Sequence, residues 1–338
     1  MGLDKVHVVS PDVGGAFGAK ASVTPEDLVV AWAAKQLQMS IKWVASRSDE
    51  FTAGMHGRGA QLSGSLSLDS KGLFSRLEAR VQFPLGAWLP YSAVVPMRNA
   101  TRILPGPYRV KQVDVQGKAI QSNAAAVNIY RGAGRPEAAL LMERLVERAA
   151  RAAGIDPVEL RLRNLIAAQD MPYKTPTGEV FDAGDYAQVL RQACEQLGYE
   201  AARQSQANRR AAGEVVGIGL AVYVEPCGQG WESARVTLQT DGKVLVHSGS
   251  SGQGQGHETT FATIAAEALG CAAGQVTVIQ GDTRTCPDGI GALASRSIAI
   301  GGSAIAQAAQ QVVAKRDAGV ALPLSAEVIY TAPAEAWS

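Results

Sequence analysis

Glycine is concentrated in three short loops, and these loops limit what the chain can fold into. They are Gly14-Gly15-Ala16-Phe17-Gly18-Ala19-Lys20, then Ser250 to Thr259 with Gly252, Gly254 and Gly256, then Asp288 to Ser297 with Gly289 and Gly291. Glycine makes up 36 of 338 residues, above the ~7% of ordinary chains, so the excess is local. A glycine turn entering a helix presents unpaired N–H groups and the positive end of a helix dipole, where anions bind. Taken singly, each loop is also what any tight turn in an α/β protein requires. Gly14–Lys20 fails the G-x4-G-K-[ST] spacing of a P-loop. Gly289–Ala294 is a loose GxGxxA without the preceding strand and later acidic partner of a dinucleotide site. Three loops in one chain therefore suggest one large polar ligand with several hydrogen-bonding edges.

Between the loops the patterning is mixed α and β, and the length suggests about two domains. Val6–Val9 and Ile41–Val44 read as strands. Thr24-Pro25-Glu26-Asp27 reads as a helix start, with Leu28, Ala31, Trp32 and Leu37 on an apolar face. Leu62–Phe83 reads as a hairpin turning at Asp69–Gly72, its second arm alternating Leu77, Ala79, Val81 and Phe83 with polar residues. Pro136–Ala153 is an amphipathic helix closed by Gly154, and Asp156-Pro157-Val158-Glu159 begins another. A helix is expected over Tyr186–Leu197. An apolar stretch, Val216–Val224, opens the second half. A hairpin follows from Ala234–Leu238 to Val244–Val246, turning at Asp241-Gly242. Then come a helix to Leu269, a strand at Val276–Ile279 and a helix over about Ala304–Lys315. Residues 1–167 form the expected first domain, 168–213 a helical junction and 214–338 a second domain.

The charges nearly cancel, at net +1, which argues against nucleic acid or an anionic membrane as partner. No apolar run approaches a membrane span, and Met1–Val9 has no apolar signal core, so a cytoplasmic protein is expected. Cys194, Cys227, Cys271 and Cys286 show no CxxC spacing, and the four histidines show no metal-ligand spacing. Any redox metal must arrive with a cofactor.

A fourth segment, Tyr130-Arg131-Gly132-Ala133-Gly134-Arg135-Pro136-Glu137, places two arginines around small residues just before a helix. Arginine is always charged and donates in a planar fork, for a ligand or for an ion pair with Glu137. Taken in order, these four segments resemble the molybdenum hydroxylase large subunit, the family of xanthine dehydrogenase, aldehyde oxidase and aerobic carbon monoxide dehydrogenase. The matching motifs are G-G-x-F-G-x-K at Gly14 to Lys20 and Arg47, Glu50, His56 and Arg58 in R-x-x-E-x-x-x-x-x-H-x-R. They continue with R-G-x-G-R-P-E-A at Arg131 to Ala138 and Asp156-Pro157-x-Glu159-x-Arg161-x-x-Asn164. The last are Gly254-Gln255-Gly256 to Thr259, Gly281-Asp282-Thr283 and Ala294-Ser295-Arg296-Ser297.

The resemblance implies an α+β fold: two mixed α/β molybdopterin-binding domains with the cofactor crevice between them, part of a larger subunit. Its cofactor would be molybdenum–molybdopterin, in the simple or the cytosine dinucleotide form, with [2Fe-2S] clusters and FAD on partner subunits. Gly15, Phe17 and Gly18 would lie against the cofactor near the metal, and Gly254, Gln255 and Gly256 would hold it. Ala294, Ser295 and Ser297 would hold its pterin, phosphate or nucleotide end. Arg131 would face the substrate as the catalytic cation. No protein residue is assigned as a metal ligand. The implied reaction is oxidative hydroxylation of an aldehyde, purine or N-heteroaromatic carbon with water as oxygen source.

Two departures from the family pattern bear on function. Copper-containing carbon monoxide dehydrogenases carry a cysteine in the loop after the position of Arg131, where this chain has Gly132-Ala133-Gly134. That argues against a Cu–S–Mo site and against CO as substrate. The family's catalytic glutamate sits in a G-x-G-E motif, and its N-terminal segment carries a glutamine near the metal; neither is expected within these 338 residues. The chain thus reads as truncated at both ends. Partners would be the iron–sulfur and FAD subunits and the missing parts of the large subunit. The alternative is a non-catalytic cofactor-binding fragment or gene remnant.

Overall fold

The computed structural model describes residues 2–332. The chain forms two compact units. One runs from Gly18 to Glu225; the other combines the residues up to Phe17 with the chain from Pro226 onward.

The Gly18–Glu225 unit opens with α1 (Pro25–Leu37), whose start is fixed by Pro25 at the first turn and by Asp27, which accepts from the Thr24 N–H at 2.8 Å. None of its residues is buried, so the apolar side chains read from the sequence as a core face lie exposed. A short α2 (Arg47–Thr52) follows, capped by Ser46. β1 (Gln61–Leu68) and β2 (Phe74–Gly86) form the expected antiparallel hairpin. Its turn is tied by Asp69, whose Oδ1 accepts from the N–H groups of Lys71 and Leu73, each at 2.9 Å. Leu77, Ala79, Val81 and Phe83 all point into the core, as their alternation requires. α3 (Val95–Ile103) carries the chain across to β3 (Gln112–Gln121), which adds to β2 in parallel.

α4 (Arg135–Ala153) ends on Gly154 in the left-handed conformation. Asp156 then caps α5 (Pro157–Asn164), accepting from Val158 N at 2.8 Å. β4 (Tyr173–Lys174) and β5 (Val180–Phe181) pair as a small ribbon. α6 (Tyr186–Leu197) and α7 (Tyr199–Ala211) complete the unit. Residues 168–213, read from the sequence as a junction, pack on this core through Phe181 and Leu190. Each such burial stabilises by roughly 1.5–3 kcal/mol, enough to hold the segment in place.

Two helix-borne polar groups lock the unit. Arg161 is fully buried and donates to Glu143 at 2.8 Å. Glu143 also accepts from the Tyr108 hydroxyl at 2.5 Å and from Val222 N at 3.0 Å. Asn164 accepts from Phe74 N at 2.7 Å and donates to the Gly72 carbonyl at 2.9 Å, joining α5 to the hairpin. The D-P-x-E-x-R-x-x-N segment is therefore structural.

In the other unit, β6 (Trp231–Leu238) and β7 (Val244–Ser248) form the second hairpin. α8 (His257–Leu269) leads to β8 (Val276–Ile279), which pairs in parallel with β7. α9 (Ser303–Asp317) leads to β9 (Leu324–Thr331), giving the strand order β8-β7-β6-β9. Phe261, Ala265, Ile305, Ala308 and Val312 from the two helices pack on Ala234, Val236, Val246 and Ala326. The strands expected at Val6–Val9 and Ile41–Val44 do not form. Val6, Val8, Val9, Trp43 and Val44 stay exposed and find no sheet to join. Val9 instead makes one bridge to Asp282, flanked by Ser10 N to Gly281 O at 2.7 Å and by His7 to Asp282 at 2.8 Å. Among the described residues no helix is long and apolar enough to cross a membrane.

Candidate functional site

The expected site residues fall into two groups. Gly15, Phe17, Gly254, Gln255, Gly256, Ala294, Ser295 and Ser297 belong to the unit built on β6; Gly18 and Arg131 belong to the other.

In the first group three segments come together. A Cβ on Gly15 would lie 3.2 Å from the Phe17 ring and 3.5 Å from the Gln253 carbonyl oxygen. Gln253 donates its side-chain amide to the Ala292 carbonyl at 3.3 Å, and its N–H is accepted by the Gln255 side chain at 2.5 Å. The residues left on the surface have unusual backbones. Phe17, Ala294 and Ser295 take positive φ (52°, 49° and 60°), a conformation costing an L-residue roughly 1–3 kcal/mol. All three side chains are exposed, although the Ala294 carbonyl accepts from Gly228 N at 2.6 Å.

Gly252–Gly256 is the one of the three glycine loops that enters an α-helix directly. Gly254 and Gly256 have φ of 94° and 78°, and a Cβ on either would meet nothing within 4 Å. Open space therefore lies over this backbone. Gly256 is the N-cap of α8 and supplies no side-chain bond to the first-turn N–H groups, which have no helical partner. His257, at the first helical position, is buried and stacked on Phe261 at 4.4 Å. Its Nδ1 meets Gln280 at 3.2 Å, while Nε2 has no partner. Burial depresses its pKa, so the ring is neutral near pH 7. Asp288–Ser297 enters a π-helix, Ser297–Gly302, before α9. Gly14–Lys20 is separated from α1 by Ala21–Thr24. Open glycine backbone, an uncapped helix N-terminus and nearby serine hydroxyls suit an anionic, multiply accepting ligand such as a phosphorylated pterin.

In the second group, Gly18 (φ 98°) packs against Ile129, and Asn128 donates to the Ala19 carbonyl at 3.4 Å. This brings Gly18 within a few residues of Arg131. Arg131 is exposed and, among the described residues, forms no ion pair. Glu137 pairs instead with Arg58 at 3.2 Å, whose guanidinium also donates to the Arg131 carbonyl and lies 5.1 Å from the Tyr130 ring centre. Arg135 pairs with Glu225 at 3.0 Å; burial pushes the Glu225 carboxyl above its usual range, with Arg135 opposing. Gly134, at φ 91°, caps α4 where any Cβ would overlap the Pro96 carbonyl oxygen. So one of the two arginines in the motif is held in an ion pair and the other is left outward.

Sequence reasoning missed Glu232, a fully buried acid on β6 paired with Arg296 at 2.9 Å. An acid in a strand otherwise apolar on its inner side was the available signal. Among the described residues no three His, Cys, Asp or Glu side chains gather as a metal site.

Family models match nearly the whole chain: a molybdopterin cofactor-binding domain over residues 1–165 and a second such domain over residues 192–331. The chain belongs to the molybdopterin-binding family of molybdenum hydroxylase large subunits. Relatives in this family include the 6-hydroxypseudooxynicotine dehydrogenase complex subunit gamma of Paenarthrobacter nicotinovorans. It is 34% identical over 92% of this chain and 40% of its own length. The carbon monoxide dehydrogenase large chain of Hydrogenophaga pseudoflava is 32% identical, over 92% of this chain and 41% of its own. Among solved structures, quinoline 2-oxidoreductase from Pseudomonas putida 86 aligns with a TM-score of 0.89 at 30% identity, over 96% of this chain and 49% of that one. The chain thus spans about 40% of the curated large subunits it matches.

Proposed function

We propose that this chain is the molybdenum-cofactor-binding part of an oxidoreductase that hydroxylates an aldehyde, purine or N-heteroaromatic carbon using water. One observation carries the reading: Gln253 ties the open glycine backbone at the uncapped start of α8 to the loops of Gly15 and Ala292, in which Phe17, Ala294 and Ser295 are exposed at positive φ. In this reading Gly254, Gln255 and Gly256 take an anionic edge of the cofactor with backbone N–H groups and the Gln255 amide. Ala294, Ser295 and Ser297 take its distal end, where a cytosine dinucleotide extension would be bound. Gly15, Phe17 and Gly18 line it, and Arg131 stabilises negative charge on the substrate. The bound molybdenum–molybdopterin group supplies the two-electron chemistry. [2Fe-2S] clusters and FAD on partner subunits carry the electrons away, in the cytoplasm.

The rest of the large subunit is the expected further partner. Leu28, Val29, Trp32, Leu37, Met39 and Phe51, all around α1 and α2, are each at least 60% exposed. Apolar surface of that extent marks an interaction site.

A second reading is a non-catalytic cofactor-binding fragment. The G-x-G-E motif that carries the family's catalytic glutamate does not occur in the 338 residues, so turnover by these residues alone decides between the two readings. Expression of the chain by itself in a host that makes the cofactor, followed by aldehyde and purine oxidation assays, tests the division. A positioned base contributes about 10²–10⁴ in rate, so the chain alone should be inactive. Turnover by the chain alone would mean that a residue within it, such as Glu137 or Glu258, serves as the base.

A further inference from the structure

Glu232 is the second residue of β6, opposite Tyr330 of β9 and just before the ladder with β7 begins at Ala234, with no exposed surface. A carboxylate so placed is costly unless its acceptor positions are filled. Its Oε2 accepts from Arg296 Nη1 at 2.9 Å, from Ser250 Oγ at 2.8 Å and from Gly291 N at 3.1 Å; Oε1 accepts from Ser233 N at 3.3 Å. Arg296, 1% exposed, directs its remaining donors to the carbonyls of Gln229 at 3.1 Å, Gly291 at 2.8 Å and Trp231. Two glycines make room for this carboxylate and for each other's backbone. A Cβ on Gly249 would stand 2.6 Å from Oε1, and one on Gly289 would overlap it.

The pair therefore touches both loops assigned to the cofactor. Ser250 opens the loop containing Gly254–Gly256, while Gly291 and Arg296 belong to the loop containing Ala294, Ser295 and Ser297. Arg296 stands between Ser295 and Ser297, and its buried side chain anchors the turn in which Ala294 and Ser295 take positive φ. We propose that Glu232 and Arg296 are a positioning pair that sets the two loops as one anion-accepting cradle. In it, Arg296 also cancels a buried negative charge that would otherwise repel an anionic ligand. This rests on the reading that these loops hold the cofactor.

Three variants separate positioning from mere folding: Glu232→Gln, Arg296→Met and the double variant. The double variant leaves no buried charge, so its overall stability should recover relative to Arg296→Met. Hydrogen exchange is measured on the full chain made without cofactor. Amides of residues 250–256 and 288–297 should exchange about tenfold faster in all three variants, while β6, β7 and α9 in the double variant keep wild-type protection. Cofactor content after expression, with the remainder of the large subunit supplied, should fall about 10–100-fold, the range for groups that orient ligands from behind, and most in Arg296→Met. Unchanged loop exchange in a folded double variant overturns the positioning role, as does full cofactor content in Arg296→Met. A wild-type protein without cofactor would overturn the functional reading while the exchange measurement still decides the positioning role.

Discussion

Arg58 holds Glu137 at 3.2 Å and donates, with the same guanidinium, to the backbone carbonyl of Arg131. The ion pair a reader would draw from R-G-x-G-R-P-E within one motif is thus made by an arginine 79 residues away. Glu137 is nearly buried at the first turn of α4, so it needs that partner. The consequence is that Arg131 keeps an uncommitted side chain.

Arg58→Met should therefore act on the Arg131 loop and on stability together. Leaving Glu137 without its donor costs about 1–3 kcal/mol, read as a lowered denaturant midpoint. Arg131→Ala should leave the midpoint unchanged within about 0.5 kcal/mol, as expected for an exposed side chain. In an assembled enzyme Arg131→Ala should lower turnover while molybdenum content stays at the wild-type level. Equal metal loss in Arg131→Ala and in a cofactor-loop variant would refute that division.

The network of Tyr108, Glu143 and Arg161 should behave as a unit. Burial opposes the Arg161 charge, yet Glu143 and Tyr108 outweigh it and the net shift is upward. Burial, then Glu143, pushes the Tyr108 hydroxyl far above its usual range, so it stays protonated and donates. Glu143→Ala leaves Arg161 only its second ion pair, with Glu147 at 2.9 Å, and should cost about 3 kcal/mol, the lower end for a broken buried pair. Glu143→Ala combined with Arg161→Met should recover part of that loss, which a double-mutant cycle measures.

The second hairpin unit should lose stability in acid. The His257 pKa is depressed by burial, and that of His247 by burial and by Arg235. For a base with a depressed folded pKa, protonation favours the unfolded chain. Stability is complete above the ordinary value of about 6.5 and falls as pH drops below it. His257→Gln should flatten that fall between about pH 6.5 and 5 in chemical denaturation. An unaltered slope would mean that His257 titrates normally in the folded chain.

Much of the fold was legible because its strongest elements carry local signals. The bounds of α6 and β8 agree with the patterning, with Asp185 capping α6; α8 ends at Gly270, and α4 differs by one residue at Arg135. The strands expected at Val6–Val9 and Ile41–Val44 fail because β-branched composition does not supply a neighbouring strand. β3 was missed because it is an edge strand with largely exposed, polar residues. β9 was missed although Leu324, Ala326 and Val328 alternate, because it pairs with β6 from 86–100 residues away. At the site, glycine spacing marked the loops that reach the surface. It said nothing of Glu232, whose role depends on contacts with Ser250, Gly291 and Arg296.

The exposed face of α1 gives a prediction about assembly. Trp32 and Leu28 are 64% and 65% exposed on a helix with no buried residue. The chain purified alone should aggregate, and Leu28→Glu with Trp32→Glu should raise its solubility without lowering its thermal midpoint. A double variant that destabilises the chain would show that this face packs within the chain itself.

The central claim is that the loops around Gly254 and Ser295 hold a molybdenum cofactor. The direct measurement is molybdenum and pterin content after expression, with the remainder of the large subunit supplied, in a host that makes the cofactor, comparing wild type with Gly254→Val. A side chain at Gly254 meets open space and costs the fold only the strain of its φ, about 1–2 kcal/mol, so the variant should stay folded. The account predicts molybdenum and pterin in the wild type and their loss from the folded variant. A folded wild type without either, or equal content in both, would contradict it.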